Sequence, residues 1–164
     1  MRFNFELKKS LTDEEFKECF DFMKTYIVSL YGDDAVSDEN YATWKLSRGE
    51  KENRFFIKIF RREQVCGYAE IMITKNETLY FCDIIIKEEF RRTTIVHEFV
   101  RYVLNLNEFK EFEEIYLHIN KKNLTSYNTW KSLGLTEVEQ GKTSNKYKIS
   151  RNDIENYFNS SKHI

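Results

Sequence analysis

Asp83 is the only acid in the run FCDIIIK, with three isoleucines directly after it. Burial among such neighbours disfavours the charged carboxylate and raises its pKa, which suits a general base. Strand alternation leaves a second outcome open, in which Asp83 turns to the far face and makes a structural hydrogen bond. Glu70 and Tyr80 are the other titratable groups on the neighbouring strands, while His97 and His118 fit a helix surface and a strand edge better than a catalytic role. Immediately downstream, KEEFRRTTIVHEFVRYVL hands an apolar strand to an amphipathic helix. A helix start at such a junction offers unpaired backbone N–H groups and the positive end of the helix dipole, the chemistry that holds phosphate. Such junctions are usually rich in glycine, and this one has none. A third stretch, NLTSYNTWKSLGL, puts Asn123 at a helix start and Gly134 at its end. Tyr127 and Trp130 lie three apart there, on neighbouring parts of one face. The Tyr127 hydroxyl can deliver a proton, whereas an indole N–H has no useful acidity. Both rings also suit a core position under a sheet.

These residues need elements to hold them. Phe3, Phe5 and Leu7 alternate with polar residues and predict a short strand. LTDEEF supplies a capping box, Thr12 with Glu15, and Phe16, Cys19, Phe20, Met23, Ile27 and Leu30 follow at helical spacing up to Gly32. A weaker helix is predicted over Ser37 to Leu46. RFFIKIF and VCGYAEIMIT, joined by RREQ, read as an antiparallel hairpin, and TLYFCDIIIK continues the meander after KNE. The Ile-rich end of that strand suits burial on both faces. A helix from about Thr94 carries Val96, Phe99, Val100, Val103 and Leu106 on one stripe; EIYLHI is a strand, the Asn123 segment a helix, TEVEQ and NKYKIS a strand pair, and a short helix ends the chain. The strand-helix-strand portion requires one parallel pair with a right-handed crossover. The fold class is therefore a mixed α+β sheet domain of order β-α-α-β-β-β-α-β-α-β-β with a final helix.

Composition narrows the function. With 41% hydrophobic and 16% aromatic residues the chain is not disordered, and 164 residues suffice for one domain with a core, residues 1–164. A net charge of −1 gives no electrostatic case for a nucleic-acid partner. Cys19, Cys66 and Cys82 are odd in number, far apart and set in apolar patterns, so buried reduced thiols are expected, with neither disulfide nor metal site. No apolar run approaches membrane-spanning length, and a cytoplasmic location without membrane contact is expected. A homodimer through the last helix or an edge strand is left open.

The element order and two of these stretches resemble the GNAT family of acyl-CoA-dependent N-acetyltransferases over about residues 1–150, with 151–164 as a helical extension. The family's phosphate loop runs Arg/Gln-x-x-Gly-x-Gly/Ala between a strand and a helix; RRTTIV lies in register, with Arg91 first, Thr94 at the first glycine and Val96 at the second. The family's later helix shows Asn, a small residue, Tyr and Gly-Phe at positions taken here by Asn123, Ser126, Trp130, Gly134 and Leu135. The resemblance implies a mostly antiparallel sheet whose central parallel strands, FCDIII and EIYLHI, splay apart. It implies acetyl-CoA as co-substrate, with the pantetheine arm on the backbone of Ile84, Ile85 and Ile86 and the pyrophosphate at Arg91, Arg92, Thr93, Thr94, Ile95 and Val96. Asn123 would hydrogen-bond the pantetheine, Trp130 would lie beside it in place of the usual tyrosine acid, and Tyr127 would serve as the acid instead. Asp83 would be the base, while Arg91, Arg92, Lys121 and Lys122 screen phosphate charge. The acceptor would be a primary amine, with Tyr31, Tyr41, Trp44 and the stretch DDAVSDEN lining its site. The replaced glycines and tyrosine also leave open a degenerate member that binds CoA or a protein without transferring anything.

Overall fold

The computed structural model describes residues 2–32, 36–48 and 53–160. Its elements are β1 (Asn4–Lys8), α1 (Asp13–Tyr31), α2 (Asp38–Ser47), β2 (Arg54–Arg61), β3 (Gln64–Ile73), β4 (Leu79–Ile86), α3 (Ile95–Leu104), β5 (Glu114–Asn120), α4 (Leu124–Lys131), β6 (Thr136–Gln140), β7 (Ser144–Ser150) and α5 (Arg151–Ser160). This is the expected α+β order, element for element. Hydrogen bonding orders the seven-stranded sheet β1-β2-β3-β4-β5-β7-β6, with β4 and β5 parallel in a mostly antiparallel arrangement. No described helix is long and apolar enough to cross a membrane.

Contacts divide the chain into two compact units, one reaching to Ile71 and including Asp83–Glu98, the other comprising Met72–Cys82 and the chain from Phe99 onward. In the first unit, the α1 capping box forms as expected: Thr12 Oγ1 accepts from the Glu15 amide and Glu15 Oε1 accepts from the Thr12 amide. The α1 stripe buries Phe16, Cys19 and Phe20, and Phe16 meets Phe56 of β2 and Trp44 of α2 edge-on. Tyr68 and Leu11 complete that core, with Phe22, Val65 and Ile85 packed against it. β1 and β2 pair antiparallel, Asn4 opposite Phe60 through Lys8 opposite Phe56. Gly67 of β3 is obligatory, because a Cβ there would overlap the Ile85 carbonyl oxygen. The Tyr31 side chain and residues 33–35 lie outside the described residues.

In the second unit, β5 pairs antiparallel with β7, and β7 with β6. Phe81, Phe99, Val100, Val103, Phe109, Ile115, Leu117, Trp130, Leu133, Ile149 and Ile154 form its core. The Arg151 guanidinium at the start of α5 donates to three backbone carbonyls, those of Leu104, Phe109 and Phe112. That single side chain serves carbonyl groups left over at the end of α3 and in the connection to β5.

One burial expectation fails. The isoleucine end of β4 is not covered on both faces: Ile86 is buried, but Ile84 and Ile85 are only half-buried. The parallel ladder takes in Leu79–Phe81 opposite Ile115–Leu117, so β4 runs on to Ile86 past its last paired residue. A strand with one hydrogen-bonded neighbour keeps an open edge and loses cover on its face.

Candidate active site

The first unit holds the strand-to-helix junction. Lys87 N–H donates to the Cys66 carbonyl at 2.8 Å. In an antiparallel pair the peptide groups of alternate residues point to opposite edges. Asp83 and Ile85 therefore turn their peptide groups to β3, consistent with the Ile85 carbonyl lying against Gly67. Ile84 and Ile86 turn theirs to the other edge. There the Ile86 carbonyl accepts from Arg91 Nε at 2.9 Å, and Arg91 Nη2 reaches the Phe22 carbonyl at 3.3 Å. Arg91, expected to screen phosphate, is thus a brace between the end of β4 and α1, which takes up much of its donor fork. Arg92 is exposed and sits at φ 62°, the left-handed turn that delivers the chain into α3.

The helix start is organised without glycine. Thr93 Oγ1 donates to the Phe90 carbonyl and accepts from the Ile95 amide. The Thr94 hydroxyl, expected to serve a phosphate oxygen, donates instead to Glu98 Oε2 at 2.6 Å, and Glu98 Oε1 accepts from the Phe3 amide at 3.0 Å. A carboxylate thus stands within the first turns of α3. Val96 is half-buried and not a core residue, while Ile95 is buried.

A group of four charges gathers from the C-cap of α2 and from β2, β3 and β4. Arg48 Nη2 lies 2.5 Å from Asp83 Oδ2, and Arg48 Nε lies 3.0 Å from Glu70 Oε2 but out of line for a hydrogen bond. Arg54 Nη1 pairs with Glu70 Oε1. The Glu70 side chain is 4% exposed and that of Asp83 33%. Burial pushes the Glu70 pKa up; the Arg48 and Arg54 guanidiniums oppose that and the Asp83 carboxylate adds to it. Asp83 is therefore not the isolated acid that its apolar run suggested: a cation faces it and part of it reaches solvent. Arg48 also stacks its guanidinium over the Trp44 ring, 5.0 Å from the centroid. Trp44 Nε1 and Arg54 Nε are buried without an acceptor among the described residues. Neighbouring Cys19 is a buried thiol whose pKa is driven upward, first by burial and then by Asp83, so it is no nucleophile.

The second unit holds the remaining expected residues. Asn123 is the N-cap of α4, its Oδ1 accepting from the Ser126 amide at 3.1 Å. Tyr127 is half-buried, its ring 5.9 Å from that of Tyr147. Trp130, expected beside the cofactor, is instead a core residue: it is 5% exposed and its ring edge meets Phe81. Such burial leaves it almost no surface to offer a ligand. Lys121 and Lys122 are exposed. The Tyr80 hydroxyl and His118 Nδ1 share a hydrogen bond, and burial followed by the Lys146 charge lowers the His118 pKa. In the first unit, burial likewise lowers the His97 pKa. Sequence reasoning missed Arg48, Arg54 and Glu98. Arg54 shares the alternation of Phe56 and Lys58 in RFFIKIF, and Glu98 is four residues after Thr94; either spacing was a usable signal.

The acetyltransferase (GNAT) family matches residues 13–135. The chain belongs to that family. The GNAT fold is equally plain among solved structures, at low identity. Spermidine N-acetyltransferase from Vibrio cholerae, solved with CoA and spermine, is 14% identical with a TM-score of 0.67, covering 92% of this chain and 98% of its own. PaiA N-acetyltransferase from Thermoplasma acidophilum, solved with coenzyme A, is 12% identical with a TM-score of 0.65, over 90% of this chain and 99% of its own. N-acetyltransferase PseH from Campylobacter jejuni, solved with acetyl coenzyme A, is 12% identical with a TM-score of 0.63, over 92% and 99%. No curated protein matches the chain.

Proposed function

We propose that this GNAT member transfers an acetyl group from acetyl-CoA to a primary amine of a small molecule or protein. The observation that carries the reading is the stretch of β4 past Phe81, which leaves the ladder with β5 yet stays extended and feeds the start of α3. An extended ligand can add to such an edge as an extra strand. The outward peptide group of Ile84 and the outward N–H of Ile86, whose carbonyl already accepts from Arg91, would hold the pantetheine arm, and the start of α3, from Thr93 to Val96, the pyrophosphate. The amine nitrogen would attack the thioester carbonyl carbon, forming the C–N bond as the C–S bond breaks. Asp83 would take the proton that the ammonium must lose. CoA thiolate, with an intrinsic pKa of about 8.5, leaves without an obligatory acid near neutral pH. For the second unit we propose Asn123 as a pantetheine partner and Tyr127 as a proton donor. Family membership and the acetyl-CoA in the PseH structure support the choice of donor; the spermine in the Vibrio structure supports an amine acceptor.

The test is release of free thiol from acetyl-CoA in the presence of a panel of primary amines. Amine-dependent thiol release supports transfer; thiol release that no amine stimulates contradicts it. One observation favours a second reading, a CoA-binding or protein-binding module without transfer: the Glu98 carboxylate, held by Thr94 and Phe3 near the helix start, opposes an incoming phosphate.

A further inference from the structure

The half-open carboxylate of the first unit already holds a cation, supplied by the chain itself. Arg48 is the C-cap residue of α2. Its guanidinium spans two acids, with Nε toward Glu70 and Nη2 toward Asp83, while Nη1 donates to Ser47 Oγ at 2.7 Å. The two acids differ in what they need. Glu70 is enclosed, with side-chain exposure of 4%, and has a second cation in Arg54. Asp83 is eight times as exposed, at 33%, and Arg48 is the cation that an ion pair gives it. Releasing Arg48 from Asp83 would still leave Glu70 a guanidinium near each oxygen, Arg54 at Oε1 and Arg48 Nε 3.0 Å from Oε2.

We propose that Asp83 is the seat of the acceptor's ammonium group and that Arg48 is its built-in placeholder, displaced from Asp83 but kept on Glu70 when a cationic amine binds. The claim concerns binding; only the fate of the bound amine rests on the transferase reading. The contact at Asp83 requires the exchange. An ammonium arriving while Arg48 still holds Asp83 would meet a like charge at the oxygen it needs. Moving Arg48 off that oxygen relieves the contact, and the one positive charge added to the group of four falls at its solvent-exposed side. A guanidinium is the more weakly hydrated cation and holds by a planar fork, whereas an ammonium is a compact point charge that can enter a partly open site. The Asp83 carboxylate, once Arg48 has left it, favours a cationic ligand over one that also carries a carboxylate.

The experiment is calorimetric titration of the full chain at fixed ionic strength with 1,4-diaminobutane and with 4-aminobutanoate, which differ only at the far end. The variants are Arg48→Gln, Arg48→Lys and Asp83→Asn. Loss of the competing cation is expected to tighten 1,4-diaminobutane about two- to fivefold in Arg48→Gln, the range of one partly exposed ion pair. Arg48→Lys keeps a cation but loses the fork, so its affinity falls between wild type and Arg48→Gln; it also keeps the test readable if the glutamine variant does not fold. Asp83→Asn is expected to weaken the diamine about tenfold. Unchanged or weaker diamine binding in both Arg48 variants overturns the proposal. So does binding of neither amine, or a wild-type preference for 4-aminobutanoate that Arg48→Gln abolishes, which would assign Arg48 to an anionic group. Amine binding that follows the proposal without acetyl-CoA-dependent thiol release contradicts the transferase reading alone.

Discussion

One oxygen of Glu15 caps α1 through the Thr12 amide, while the other pairs with Lys58 at 2.8 Å and Lys8 at 3.1 Å. Burial alone would raise its pKa, but the hydrogen bonds from Lys58, the Thr12 amide and Lys8 outweigh it and hold the group down at about 2, against an ordinary 4.5. A carboxylate whose pKa is lowered by folding stabilises the fold above its unfolded value and loses that contribution as the pH falls through the folded one. Here the window runs from about 4.5 down to about 2, and the contribution is about 2–3 kcal/mol. Glu15→Gln is expected to lower the melting temperature at pH 7 and to flatten its decline between pH 5 and pH 2, as followed by circular dichroism. A parallel decline in both proteins would contradict this. The cap was legible because Thr12 and Glu15 are local; the two lysines were not, since they arrive on β1 and β2. The same distance effect hid the state of Asp83. Its apolar neighbours suggested a lone acid, and its partner Arg48 comes from 35 positions away.

Among the elements, the start of α3 decides how well the junction can hold an anion. Glu98→Gln removes a negative charge near the positive end of the helix, and Val96→Gly removes a branched side chain that stands half-exposed there. Each is expected to tighten CoA severalfold by isothermal calorimetry, charge–dipole terms being worth ~0.3–1 kcal/mol. Val96→Gly also costs the helix about half a kcal/mol, so its melting temperature without ligand falls slightly. No gain in either variant would favour a repurposed helix start. At the far end of α3, Arg151→Met removes three hydrogen bonds from a charged donor. A loss of about 2–4 kcal/mol is expected from the denaturant midpoint, with hydrogen exchange rising first between Leu104 and Phe112. Element order was readable throughout, because helical stripes, alternation and the turns RREQ and KNE are local signals. Burial of the isoleucines on β4 was not, because it depends on where β5 stops pairing. For Trp130 the sequence left a core position and a cofactor-side position open, and the packing against Phe81 decides for the core.

At the scale of the whole molecule, family membership rests on residues 13–135, and the net charge of −1 neither attracts nor strongly repels an anionic co-substrate. The strand-to-helix junction of this member is held by Arg91, Thr93 and Thr94 hydrogen bonds in place of glycine. Whether that junction still binds its ligand is read most directly from the melting temperature of the full chain with saturating acetyl-CoA, with CoA and ATP in parallel. A ligand at a hundred times its dissociation constant adds about 2.7 kcal/mol, which for a chain of this size raises the melting temperature by roughly 5–10 °C. The account predicts that rise with acetyl-CoA and with CoA, and none with ATP. No rise with any of the three, or an equal rise with ATP, would contradict it.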